Sequence, residues 1–149
     1  MADYLDYLED SPDVVASKDK LSRIIVIAIY LGIWAIALMV FWFFTRGSDA
    51  MGYAFVFLWV VLPATTFALS LVIGKNDYWG RAKWVSPVVF GVMYMLAGYA
   101  TLSAANMAAF NKVTMPEFAM IPVGAIISVV GLGIGVVSHH MKLKSKTEK

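Results

Sequence analysis

The chain has no cysteine. That excludes disulfides, thiolate catalysis, cysteine-ligated zinc and thiol-linked haem. Charge is scarce as well: Asp, Glu, Lys and Arg make up 15% of its 149 residues, against about a quarter in soluble domains. The scarcity is uneven. Long apolar runs hold no Asp, Glu, Lys, Arg or His, and the charges gather in the short segments between and beyond them. Proton relays, voltage sensors and cation transporters depend on an ionisable group at membrane depth. The small multidrug exporters, of similar size, depend on a membrane-buried glutamate that this chain lacks.

Other signatures are missing too. There is no H-E-x-x-H, and Ser70 and Ser128 have no histidine within an apolar run to activate them. His139 and His140 are adjacent, so on a helix their rings point about 100° apart and cannot serve one haem from opposite faces. Their simpler role is to sit beside a helix C-terminus. Asp49 and Glu117 are expected on one face with Arg46 and Lys112, and Glu117 is expected to cap a helix. The expectation is a non-enzyme without metal or cofactor and without a nucleic-acid partner.

What is present is hydrophobic length. Apolar residues make up 60% of the chain and the mean hydropathy is +0.74. Ile24 to Phe44 is 21 residues without a charge, enough to cross about 30 Å of hydrocarbon. Further spans are expected over about 50–74, 87–110 and 117–138, within a transmembrane domain of residues 24–141. Ser48 or Asp49 is expected to cap the second span, and Ser86-Pro87 to open the third as cap and first-turn proline. Thr114-Met-Pro-Glu117 reads as a capping box that opens the fourth at about Met115. Ten Lys and Arg flank one side of these spans, and Arg46 and Lys112 alone flank the other. The positive-inside rule then places both termini in the cytoplasm, in a plasma (inner) membrane. The fold class read from the sequence is an all-α integral membrane protein, a four-transmembrane-helix bundle with N-in/C-in topology.

Small residues mark how the spans meet. Gly124, Ser128, Gly131, Gly135 and Ser138 recur at spacings of four and three, one seam of a helix. In lipid such seams let backbones approach closely. Gly91, Tyr94, Gly98, Thr101, Ala105 and Ala108 form a matching seam on the third span, which suggests an antiparallel hairpin with the fourth. The first span offers Ala28, Gly32 and Ala35. Leu132, off the seam, is expected to face lipid. Pro63 is expected to kink the second span by freeing the Trp59 carbonyl. Thr65, Thr66, Ser70 and Asn106, with Thr101, Ser103 and Ser128, are the hydroxyl and amide groups at depth. They read first as interhelical hydrogen bonders, and the set Thr65, Thr66, Ser70 and Asn106 is the candidate path for a neutral or anionic solute.

The ends carry the rest. Residues 1–23 form an acidic lead-in unlike the short basic start of a signal peptide. Tyr4, Leu5 and Leu8 share one face of a short amphipathic helix, a candidate dock for a cytoplasmic partner with a basic surface or for the protein's own loop and tail. Ser11-Pro12 restarts the helix. Lys75, Arg81 and Lys83, beside Trp79 and Trp84, are candidate contacts for anionic lipid heads. Residues 142–149 are a basic tail. The function this supports is a small accessory or structural subunit of a larger membrane complex, or a self-associating bundle. The alternative is a small transporter or channel.

Overall fold

The computed structural model describes residues 12–45 and 48–147, except the side chains of Ser48, Lys146 and Thr147. The amphipathic helix expected before Ser11, with Tyr4, Leu5 and Leu8, lies outside the described residues. Four helical stretches are long and apolar enough to cross a membrane, Pro12–Phe44, Asp49–Lys75, Gly80–Phe110 and Met120–Ser145. No strand occurs among the described residues. The protein is therefore an all-helical bundle with the dimensions and polarity of a membrane protein.

Helix α1 (Pro12–Phe44) starts on the proline, whose missing N–H costs nothing in a first turn. At 33 residues it is about 50 Å long, so its polar turns up to Arg23 project beyond the apolar part. It buries a single stripe: Val26, Tyr30, Ala37 and Phe41.

The second stretch is broken at its proline. Helix α2 (Ser48–Val56) passes through a π-helical turn, Phe57–Val61, into α3 (Leu62–Lys75). In that turn the Leu62 N–H reaches the Phe57 carbonyl, five residues back. In the same register residue 63 pairs with Leu58, but proline has no N–H. The Leu58 carbonyl therefore receives no backbone donor from residue 63. The Tyr94 hydroxyl donates to it from the third stretch.

That third stretch contains a 3₁₀ turn (Gly80–Val85), α4 (Ser86–Gly98), a second π-helical turn (Tyr99–Ser103) and α5 (Ala104–Phe110). Ser86 does not cap α4. The chain enters it already helical, and the Ser86 hydroxyl donates to the Lys83 carbonyl, 2.7 Å away. Asn111, at φ 54°, ends α5 in the left-handed conformation that Asn tolerates.

Helix α6 (Met120–Thr147) begins later than the Thr114–Glu117 pattern suggests. Pro116 disfavours helix at Met115. The first turns are instead closed by backbone bonds, Met120 N–H to Glu117 and Ile121 N–H to Phe118, each 3.1 Å. Pro122 then sits in the opening turn, where it breaks no bond.

The core lies where α6 packs on α3 and α4, its two most extensive partners. Helix α6 runs parallel to α3: Gly131 meets Phe67 and Ser70, and one turn on Gly135 meets Leu71, Gly74 and Lys75. The anticipated α4–α6 hairpin covers only the first part of α6, where Gly124 meets Gly91 and Tyr94, and Met120 covers Gly98. Leu132 does not face lipid. Contact with two helices widens the buried arc of α6, and Leu132 is fully buried in the apolar core.

Candidate functional site

The interior is sealed by close backbone approach. A Cβ built on Gly135 would stand 2.4 Å from the Leu71 carbonyl oxygen and 2.9 Å from Gly74 Cα; one on Gly131 would stand 2.6 Å from the Phe67 carbonyl oxygen. Glycine is required at both, since real contacts of that kind need more than 3 Å. About one turn before Gly131, the Ser128 hydroxyl meets that of Ser70 at 2.7 Å, each residue fully buried. Thr101 is also fully buried and donates to its own helix at the Ala97 carbonyl, 2.8 Å away. Ala105 is half-buried and Ala108 exposed.

The hydroxyl and amide groups at depth do not form one line. Thr65 donates back to the Val61 carbonyl at 2.7 Å, and Asn106 is exposed on α5. Thr66 is fully buried, and its hydroxyl faces that of Tyr30 on the buried side of α1. The Trp34 indole N–H, also on that side, has no hydrogen-bond partner among the described residues.

Aromatic donors on backbone carbonyls tie the helices together, a device the sequence did not announce. Besides Tyr94 on Leu58, the Tyr53 hydroxyl donates to Ala37 at 3.2 Å and the Trp42 indole to Ala100 at 3.1 Å. Two of these three acceptors lie in the π-helical turns, where the regular carbonyl ladder is disturbed. The signal for the first was Pro63. Nothing in residues 99–103 flags the second.

Outward, α1 is nearly bare. Ala28 and Ala35 are exposed, and no atom lies within 4 Å of a Cβ built on Gly32. The seam of the first span therefore touches nothing in the bundle.

The end of the bundle that holds the start of α1 also holds the close of α3 and of α6. Helix α3 ends in a Schellman turn: Asp77 adopts φ 51°, its N–H meets the Gly74 carbonyl at 3.4 Å, and the Tyr78 N–H meets Ile73 at 3.1 Å. The Asn76 N–H takes Val72 at 3.1 Å. One carbonyl of the last turn remains, that of Lys75, and His139 Nδ1 lies 2.8 Å from it. A carbonyl only accepts, so Nδ1 carries the proton. The four last carbonyls of α3 are all engaged.

Of the three cations expected at lipid heads, Arg81 is exposed and Lys83 is turned onto Asp77 at 2.6 Å. The Lys83 hydrogen bond holds the Asp77 carboxyl below the usual carboxylate range; slight burial opposes this, and the charges of Lys83, His139 and His140 add to it. Trp79 follows at φ 62°, a strained conformation for a bulky residue, with its ring edge-on to Tyr78 at 6.2 Å.

Two cavities flank this end of α1. One, of about 510 Å³, is apolar and lies between α1, α4 and the 3₁₀ turn, with Val26, Tyr30, Ile73 and Phe90 in its wall. The other, of about 660 Å³, is polar and lies between the starting turns of α1, the end of α3 and the end of α6. Lys75 lines it with Lys18, Lys142 and His139, which sequence distance had kept apart. Among the described residues no cluster of three or more His, Asp or Glu could hold a metal ion.

No family model matches the chain, and no curated protein or solved structure matches it.

Proposed function

We propose that the protein is a non-enzymatic integral membrane subunit. It lies with both ends in the cytoplasm and presents α1 to another membrane helix, from a different chain or from a second copy. The observation that carries this reading is the outer face of α1. Elsewhere the bundle seats its seam glycines against neighbouring helices, with glycine Cβ positions under 3 Å from their neighbours. Gly32 is open, and Ala28 and Ala35 flank it on the same face one turn either way. Gly52 and Gly133 are open too, but Phe55 and Val56, and Val129 and Val130, stand exposed beside them. Only Gly32 combines open space with a small residue one turn away on each side, a groove bordered by the exposed Ile29 and Ile36, and a second helix fits such relief.

The ten-to-two distribution of Lys and Arg supports the orientation. The transport reading gains no support, because none of Thr65, Thr66, Ser70 and Asn106 lines either cavity.

The absence of native cysteine gives a clean test. Gly32→Cys should cross-link, through an oxidant or a short bifunctional reagent, to a partner chain or to its own copy. The mass of the detergent-extracted particle should exceed one chain to match. Gly32→Leu should release the partner while the bundle stays folded. A monomeric particle with no co-purifying chain and no cross-link at Gly32 would overturn the reading.

A further inference from the structure

We infer that the polar cavity beside α1 is a binding site for a phosphate-bearing anion. The inference is independent of the partner face on α1. Three lysines from three separate elements converge on one cavity: Lys18 from α1, Lys75 from the end of α3 and Lys142 from the end of α6. A space of about 660 Å³ is large enough for a phosphate-bearing headgroup or a small soluble phosphate compound.

The surroundings remove the negative charge that would oppose such a ligand. A helix C-terminus normally repels anions, and the end of α3 borders this cavity. Its last four carbonyls are all occupied, the final one by His139. Asp19 also lines the cavity, but its carboxylate is held by Arg23 at 3.0 Å. Asp77, in the adjoining turn, is held by Lys83 at 2.6 Å.

Neutral donors complete the site. Asn76 Nδ2 donates to the Tyr78 hydroxyl at 3.1 Å, and that hydroxyl is bonded in turn to Ser22 on α1. Tyr78 accepts from Asn76 and shares its second bond with Ser22, so these polar groups form one connected set in the wall. The same bond pins the polar turns of α1 to the loop after α3, which keeps Lys18 and Lys75 on one space. His139, its Nδ1 committed to Lys75, retains Nε2 as its second polar atom in the wall. A row of anchoring lysines on a membrane surface needs none of these arrangements.

The ligand phosphate has two sources, a lipid headgroup or a soluble compound, and two arms of one experiment separate them. The full chain is placed in phosphatidylcholine nanodiscs and titrated with pyrophosphate. In parallel it is placed in mixed phosphatidylcholine–phosphatidylglycerol nanodiscs, and retained lipid is counted by native mass spectrometry. Lys18→Gln/Lys75→Gln/Lys142→Gln should weaken whichever ligand binds about a hundredfold, at about fivefold per lysine. Lys20→Gln/Arg81→Gln/Lys144→Gln removes equal charge from the same end but not from the cavity, and should cost about threefold at most. Pyrophosphate binding that follows this contrast assigns a soluble ligand. Selective retention of phosphatidylglycerol that follows it, without pyrophosphate binding, assigns a headgroup. Should the cavity triple not purify, Lys142→Gln alone, on an exposed turn of α6, carries the test at about fivefold. Equal losses in both triples, or no anion binding in either arm, overturn the inference.

Discussion

Helix α6 carries three glycines at alternate positions, 131, 133 and 135, and the structure assigns them opposite fates under one substitution. A methyl on Gly135 would lie 2.4 Å from the Leu71 carbonyl oxygen, 2.8 Å from the Lys75 nitrogen and 2.9 Å from Gly74 Cα. All three are backbone atoms, so no side chain can swing aside. Reaching an ordinary contact of 3.4 Å requires α3 and α6 to separate by about 1 Å. Overpacking of this kind costs about 1–3 kcal/mol. The same separation stretches the Ser70–Ser128 bond, now 2.7 Å, beyond bonding range, at about 0.6 kcal/mol more. Gly135→Ala should therefore destabilise the bundle by about 2–4 kcal/mol. Gly133→Ala adds the same methyl to the same helix where nothing lies within 4 Å, and should stay within about 0.5 kcal/mol of wild type. Equilibrium unfolding in mixed micelles of SDS and a mild detergent reads both. Equal unfolding free energies for the two variants would show that α3 and α6 do not meet at this seam.

Topology is tested by single cysteines: Ser48→Cys and Lys144→Cys should label from opposite sides of sealed cells with an impermeant reagent, the former from outside. Label at Lys144→Cys from outside would reverse the orientation. Tyr94→Phe strips the Leu58 carbonyl of its donor and should cost about 0.6–2 kcal/mol. Pro63→Ala restores an N–H in register with Leu58 and should recover that loss, whereas simple additivity of the two changes would refute the shared carbonyl. Asp77→Asn should raise labelling of Lys83 by an amine reagent at neutral pH. Because the Asp77 carboxyl is held low, the tie to Lys83 should persist through neutral pH and open only as pH falls through that lowered range; unchanged labelling of Asp77→Asn would show no tie.

The four apolar stretches were readable because crossing length and absent charge are properties of one segment at a time. The seam on α6 was readable for a similar reason, since small residues at spacings of three and four show where a backbone can be approached. They do not show which helix approaches. Gly131 and Gly135 found the parallel α3, while Gly124 alone found α4. Sharing α6 between two neighbours is also what buried Leu132, which a single seam leaves outside. Pro63 located a break but not its form. Sterics demand only that residue 63 donate no backbone bond, and the chain adds a residue in the turn before it, which leaves the Leu58 carbonyl for Tyr94. The polar cavity was the least legible feature. Lys18, Lys75 and Lys142 belong to three segments whose convergence is a property of the assembled bundle, and the closed C-terminus of α3 depends on His139, 64 residues away.

The acidic lead-in precedes a helix whose first turns line the polar cavity. Asp3, Asp6, Glu9 and Asp10 precede Ser11, and α1 begins at Pro12 with Val15, one turn in, in the wall of the cavity that Lys18, Lys75 and Lys142 line. Covalent attachment this close in sequence gives its carboxylates about millimolar effective concentration at the cavity, enough to compete with an anion that binds at micromolar to millimolar levels. Carboxylates lack the charge density of pyrophosphate, so the segment should weaken binding rather than abolish it. Deleting residues 2–11 should thus leave the four helices inserted and folded while tightening pyrophosphate binding in phosphatidylcholine nanodiscs. Added salt should shrink the difference, since charges are screened over about 8–10 Å at physiological ionic strength. If Tyr4, Leu5 and Leu8 instead dock on a separate cytoplasmic protein with a basic surface, the deletion should release that chain from the detergent-extracted particle and leave pyrophosphate affinity as it was. A deletion that changes neither anion affinity nor co-purification would leave the lead-in without a binding role at this end of the bundle.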